Sequence, residues 1–517
     1  MFQDARTNSP GLKLSYLGAA LVLTLLLQIN ISLQNPVPDY DEAVYLDLAR
    51  SVSTQGVPVR TSSGRLYAVH PPGYFYPAGV FYHAGLKDVI LQRSLQTALS
   101  LVLLGIVYGI SRRVWSEGAA RWAVLLLAIN PFFLRYAHSV YLELPETLWL
   151  FASLACWLWA ERGGAACWER YLLAGVALGL AALTKYFAVS LGVAYLLYYA
   201  IQQRGRFWRS RPFWLIFGSS ALLFALWPVY AWALLGTEEL RAAWAARAWR
   251  FLTPLPSDPR TLTSLKDLLV KLATAPGPLV ALPMAVAFLA EARWAVVRRA
   301  WRDPKPERRF RILVLIWIIV LTGLLLSLPV RDQKYFYPLL PAGLMLLAAW
   351  GVQAFAALKR DRTSRPTVLA VLALGVWVVL IFPVDLTGID HVPVLQKLYF
   401  TGHDYTWRAS PHHIALPGMS ERIVALAKPG ERILVGRAGP IVCYYTGLPY
   451  RMTYLAPSLE QAERLLDEHR IFLIDGPPEV LFPNLTPAER ARLGARVMRE
   501  WLEVARDEET RLLLKLN

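Results

Sequence analysis

One feature constrains this chain more than any other. Apolar runs recur along it, each about as long as a bilayer core is thick. They lie at 14–33, 95–111, 121–134, 147–160, 172–202, 213–235, 276–290, 312–330, 337–358 and 367–384. A helix needs about twenty such residues to cross the hydrocarbon. A length of 517 residues would by itself suggest several soluble domains. Composition overrules this: 56% of residues are apolar and only 18% charged, against about 25% charged in soluble domains. The expected class is a polytopic α-helical membrane protein. The run 172–202 is too long for one span and is interrupted by Thr184-Lys185-Tyr186. Splitting it there brings the expected total to about eleven spans.

The net charge of +17 has an address. Arg112 and Arg113 close one run, and Arg204, Arg206, Arg209 and Arg211 separate two others. A heavier cluster runs from Arg293 through Arg299 and Arg309 to Arg311, and a last one from Lys359 to Arg365. With 172–202 split, all of these fall on one side, which the positive-inside rule makes cytoplasmic. Anionic headgroups account for this charge, so nucleic-acid binding is not needed to explain it. The three cysteines, Cys156, Cys167 and Cys443, have neither metal spacing nor an obvious disulfide partner. The first apolar run ends in Gln34-Asn35-Pro36 rather than a small-residue cleavage site, and reads as a retained span.

The opposite, extracytoplasmic side receives the first loop, 35–94, with the segment 135–146, the loop 236–275, the turn 329–336 and everything after about 385. In the first loop, Val44, Leu48 and Val52 predict a helix over 41–53. This helix and the Trp-bearing 236–275 segment read as amphipathic elements on the membrane surface. The division is therefore a membrane domain, 1–384, and a small soluble α/β domain, 385–517. In the latter, strands are expected at 432–436 and 471–474. Ser458 and Thr486 are expected to cap helices, and 501–505 could pair with 512–516.

Ionisable residues collect on the extracytoplasmic side. Pro38-Asp39-Tyr40-Asp41-Glu42 opens the first loop, and Asp41 and Tyr45 share a helix face. Acids here also suit an ordinary helix N-terminus. His70-Pro71-Pro72 stiffens the chain among aromatics, and Arg93 stands at the entrance to the second span. Glu143 and Glu146 lie at the mouth of the fourth. Acids so near hydrocarbon are costly unless they have a function, although headgroup water could also solvate them. Lys185, inside an apolar run, must snorkel, pair or bind an anion. Arg331, Lys334 and Tyr335 occupy a short turn, against the positive-inside trend. Cations suit a phosphate and a carboxylate suits a general base on a hydroxyl. A lipid-linked phosphosugar combines both demands.

These motifs resemble the GT-C glycosyltransferases, in particular the branch of protein O-mannosyltransferases and the lipid A aminoarabinose transferase. The resemblance covers Asp39 to about Lys185 well, and Lys334-Tyr335-Phe336-Tyr337-Pro338 more weakly. It implies the GT-C fold, a polyprenyl-phosphate sugar as donor and inverting transfer, with a lipid, glycan or protein as acceptor. It implies Asp41 as general base, with Glu42 and Tyr45 completing that motif. Glu146, with Glu143 competing, fits the second acid. His70 stands where the lipid A enzymes have Lys. Arg93, Lys185, Arg331, Lys334 and Tyr335 are implied as substrate-binding. No clear metal-ligand set is present, and no metal or other cofactor is expected to be required. The implied location is the plasma (inner) membrane, with the active site and the tail extracytoplasmic. Two other readings are a transporter or flippase for a lipid-linked sugar, which would favour midplane charges and repeated halves, and a structural membrane subunit. The one-sided ionisable cluster and the absence of an internal repeat favour the enzyme.

Overall fold

The computed structural model describes residues 10–163, 167–252, 278–297, 303, 305–327, 333–360, 411–436, 438–453, 456–475, 481–507 and 510–516. The membrane-facing part is built from long helices. They are α1 (Pro10–Gln34), α4 (Val89–Val114), α5 (Glu117–Ala128), α6 (Pro131–His138), α7 (Glu143–Gly163), α8 (Trp168–Thr184), α9 (Val189–Gln202), α10 (Arg211–Leu252, broken at the non-helical Gly236), α11 (Pro278–Val297), α12 (Pro306–Ser327) and α13 (Leu339–Arg360). Two more, α2 (Tyr40–Gln55) and α3 (Phe75–His83), lie in the first loop with a short antiparallel pair, β1 (Val59–Arg60) and β2 (Arg65–Leu66).

Among the described residues, five helices are long and apolar enough to cross a membrane, or six when α5 and α6 are counted as one bent span. The run at 121–134, expected as one span, is bent by 63° between these two helices. The cause is local: Asn130 caps α6 through a bond from Phe133 N, and Pro131 takes its first turn, where its missing N–H costs nothing. The division of 172–202 appears where the sequence places it, with Lys185 extended between α8 and the short 3-10 turn Tyr186–Ala188. The other runs form helices that are shorter or carry acids at their ends, or lie outside the described residues, as 367–384 does.

Backbone groups at membrane depth must be satisfied internally, and helices do this. Side chains then stitch the helices together. Gln28 on α1 donates to Ser100 on α4 at 2.9 Å, and Trp157 on α7 donates to Tyr199 on α9 at 3.1 Å. Trp317 on α12 donates to Ser190 on α9 at 3.1 Å. Helices α8 and α10 approach closely because α8 presents Gly175 and Gly179. A Cβ at Gly175 would lie 2.0 Å from Ser219 Oγ and 2.3 Å from the Ile216 carbonyl oxygen. This is the small-residue contact that lets membrane helices pack without a hydrophobic drive between them.

The tail forms a five-stranded sheet in the order β4-β3-β5-β7-β6. The strands are β3 (Ile433–Val435), β4 (Tyr450–Met452), β5 (Ile471–Ile474), β6 (Trp501–Asp507) and β7 (Thr510–Lys515). The first three are parallel, and β7 runs antiparallel to β5 and β6. Helices α14 (Pro411–Leu426), α15 (Gly439–Thr446), α16 (Leu459–Glu468) and α17 (Pro487–Glu500) flank it. Ser458 and Thr486 cap α16 and α17 through their side chains. The sheet unit does not stand apart from the first loop. Val37 and Ala43 share an apolar cluster with Leu416, Ile423, Ile441 and Val442. Arg50 on α2 donates to the carbonyl of Tyr444 at 2.9 Å, at the end of α15.

Candidate functional site

The site begins at the first turn of α2, where three acids sit within four residues and meet three different surroundings. Asp39 is the N-cap. Its side chain accepts from Glu42 N at 3.1 Å and from the Tyr141 hydroxyl at 2.5 Å. Burial, then the neighbouring charges of Glu42 and Asp41, push the Asp39 carboxyl up to about 6, although the Tyr141 hydrogen bond opposes this. The pattern Asp-x-x-Glu is a capping box, so Asp39 was findable from sequence. Tyr141 carried no such signal.

Glu42 is fully buried. It receives Arg93 Nε on one oxygen at 2.8 Å and Arg93 Nη2 on the other at 2.6 Å, and it accepts Val140 N at 2.8 Å. Desolvation opposes its charge, but Arg93 outweighs that and holds the carboxyl below its usual range. Arg93 also donates to the backbone carbonyls of Asn35 and, at 3.3 Å, Val37. A bidentate pair in which all three guanidinium nitrogens donate ties the first loop to α4 and to the segment before α7. In this geometry Glu42 and Arg93 are turned to each other rather than to an open site.

Asp41 lies one helical step round from Glu42 and is partly exposed. Its carboxylate pairs with the ammonium of Lys334. Lys334 comes from the 3-10 turn Gln333–Phe336 and lies 5.6 Å from the centre of the Tyr141 ring. The next residue, Tyr335, packs against Phe187 at 4.8 Å between ring centres and under the Lys185 ammonium, also at 4.8 Å. Lys185 pairs with Glu143, both nearly fully buried. Glu146, one turn along α7, is buried beside them and is hydrogen-bonded by the Ala188 backbone. Among the described residues, Glu143 Oε2 and Glu146 Oε1 have no hydrogen-bond partner. Two buried acids thus share one lysine and keep acceptor capacity.

The His70 segment reaches the same place through its backbone. Gly73 N donates to the Leu183 carbonyl at 2.7 Å, and a Cβ at Gly73 would lie 2.6 Å from that oxygen. The His-Pro-Pro-Gly and Leu-Thr-Lys segments are therefore in contact, and only glycine permits the distance. His70 is buried beside Tyr45 and Tyr67, with ring centres 6.4 and 6.1 Å away. Tyr45 also packs on Phe75 and Tyr141. Arg331 lies outside the described residues. The other expected site residues are brought to one end of the bundle. Among the described residues, no three His, Cys, Asp or Glu side chains form a metal-ligand group.

Residues 69–232 match the family model of dolichyl-phosphate-mannose-protein mannosyltransferases. No curated protein sequence matches the chain. Among solved structures, ArnT from Cupriavidus metallidurans bound to undecaprenyl phosphate is similar at 16% identity and a TM-score of 0.65, covering 98% of both chains. Archaeal oligosaccharyltransferase AglB from Archaeoglobus fulgidus, in complex with an inhibitory peptide and a dolichol-phosphate, is similar at 13% identity and a TM-score of 0.59. That likeness covers 92% of this chain and 72% of AglB. The chain has the GT-C fold, and the resemblance read from its motifs is borne out by the family model and the fold together. It is an integral membrane protein.

Proposed function

We infer that this protein is a membrane glycosyltransferase that moves a sugar from a polyprenyl-phosphate donor to an acceptor hydroxyl on the extracytoplasmic face. The observation that carries this reading is the partly exposed Asp41 carboxylate paired with Lys334, beside a second cation held among buried acids. A base and a phosphate-binding cation at a membrane surface are what this transfer requires. Two proteins of the same fold are solved with polyprenyl phosphates, which supports the donor class.

In the proposed reaction, the donor phosphate draws Lys334 away from Asp41, so that one binding event frees the base. Asp41 takes the proton of the acceptor hydroxyl. The acceptor oxygen bonds to the anomeric carbon from the side opposite the phosphate, and the anomeric carbon–oxygen bond to phosphate breaks. Configuration inverts, and polyprenyl phosphate leaves with its negative charge held by Lys334 and Lys185. Glu143 and Glu146 set the position of Lys185 and offer acceptors to sugar hydroxyls. Glu42 and Arg93 hold the helix that carries Asp41, and Tyr45, His70 and Tyr335 shape the aromatic wall.

The test is release of polyprenyl phosphate by purified protein in nanodiscs, across a panel of polyprenyl-phosphate sugars, comparing the parent with Asp41→Asn. Release by the parent and loss in a folded variant is the expected result. Release that survives in Asp41→Asn would remove this base and bring Glu146 or Glu143 forward. No release from any donor, with lipid still bound, would favour a transporter.

A further inference from the structure

At the far end of the same helices, away from Asp41, α4 and α7 leave a groove of about 820 Å³ between them. Its floor runs along α4 from Val102 past Gly105 and Gly109 to Arg113. That is about 16 Å of helix at 1.5 Å per residue, or roughly one leaflet of a hydrocarbon core about 30 Å thick. The wall includes Cys156 and Trp159 of α7. Val102 and Trp159 are each about half exposed, and a Cβ at Gly105 would meet nothing within 4 Å. The groove is therefore open space, not tight packing between helices.

Its basic end decides what fits. Arg113, Arg162 and Arg170 converge there from the ends of α4, α7 and α8. Arg162 is paired with Glu307 at 2.9 Å. Arg113 donates to the carbonyl of Gly109 at 3.5 Å. Arg170 donates to the carbonyl of Trp159 at 3.1 Å and lies 4.1 Å over its ring. Among the described residues, neither Arg113 nor Arg170 has a carboxylate partner. Two guanidiniums with no carboxylate partner among the described residues, at the headgroup end of an apolar furrow one leaflet long, match a lipid with an anionic phosphate. A free phosphate would leave the furrow unused.

We propose that this groove is a binding site for an anionic glycerophospholipid of the basic-side leaflet. One acyl chain lies over Gly105 and Gly109, and the phosphate accepts from Arg113 and Arg170. The site is separate from the sugar-transfer site and does not depend on that reading.

Native mass spectrometry of protein equilibrated with equimolar phosphatidylglycerol and phosphatidylcholine tests it. The parent should retain phosphatidylglycerol preferentially. Arg113→Gln with Arg170→Gln should cut the preference by about tenfold or more. Gly105→Trp should reduce retention of both lipids, since a Cβ there meets nothing within 4 Å and the ring beyond it occupies the groove. An unchanged melting temperature establishes that each variant is folded. Equal retention of both lipids by the parent, or an unchanged preference in the double variant, would overturn the proposal. So would displacement of phosphatidylglycerol by millimolar inorganic phosphate or by undecaprenyl phosphate.

Discussion

The carboxylate of Asp41 is held by the ammonium of Lys334, which stands 293 positions further along the chain. The pairing joins the first loop to the turn before α13. It has a consequence for kinetics. If Lys334 changes partner from Asp41 to the donor phosphate, the two residues should fail differently. Asp41→Asn should lower kcat by about 100-fold or more, the usual contribution of a general base. Lys334→Met should raise KM for the donor as well as lower kcat, because Lys334 holds the phosphate both in the bound donor and as it leaves. Steady-state kinetics on the two variants separates these outcomes, and equal effects on kcat alone would refute the exchange.

The Glu42–Arg93 pair should behave as structure. Both side chains are almost completely buried, and breaking such a pair leaves an uncompensated charge at a cost of about 3–5 kcal/mol. Arg93→Met and Glu42→Gln should each lower the melting temperature in detergent sharply. The double variant should recover part of the loss, because neither charge is then stranded. Additive losses would show that the pair is not coupled.

Asp39 gives a pH signature. Its carboxyl is raised from 3.8 to about 6 in the folded protein, so the folded state binds the proton more tightly than the unfolded one. The stability this contributes is fully present below about pH 4 and is lost as pH rises through about 6, about 3 kcal/mol in all. Asp39→Asn should flatten this part of the stability profile. Melting curves of parent and variant between pH 4 and 7.5 would show it, and parallel curves would exclude it.

Gly73→Ala should be costly out of proportion to its size. The added methyl would meet the Leu183 carbonyl at 2.6 Å, and relieving such overlap costs about 1–3 kcal/mol. The two segments it separates hold His70 and Lys185, so transfer should fall with stability. Gly64→Ala is not a matched control, because Gly64 has a positive φ. Gly105→Ala is a better one, since its Cβ meets nothing.

What the sequence settled about this protein is what neighbours along the chain decide. Apolar runs of bilayer length specified membrane helices. Lys185 within one of them specified a break. Ser458 and Thr486 marked the starts of two tail helices through side chains that reach only three residues ahead. The order of the acidic, His-Pro-Pro and Leu-Thr-Lys motifs was enough to suggest the fold. The bend at Asn130-Pro131 was equally local, but the long apolar run obscured it. Only the tertiary structure separated the roles of Asp39, Asp41 and Glu42. In sequence they are three similar acids. A helix turns about 100° per residue, so successive side chains leave it in different directions. Asp39 caps the turn, Asp41 meets Lys334, and Glu42 enters the bundle toward Arg93, 51 positions away. Which cation waits in each direction depends on how distant helices pack, and no spacing within the first loop contains that information.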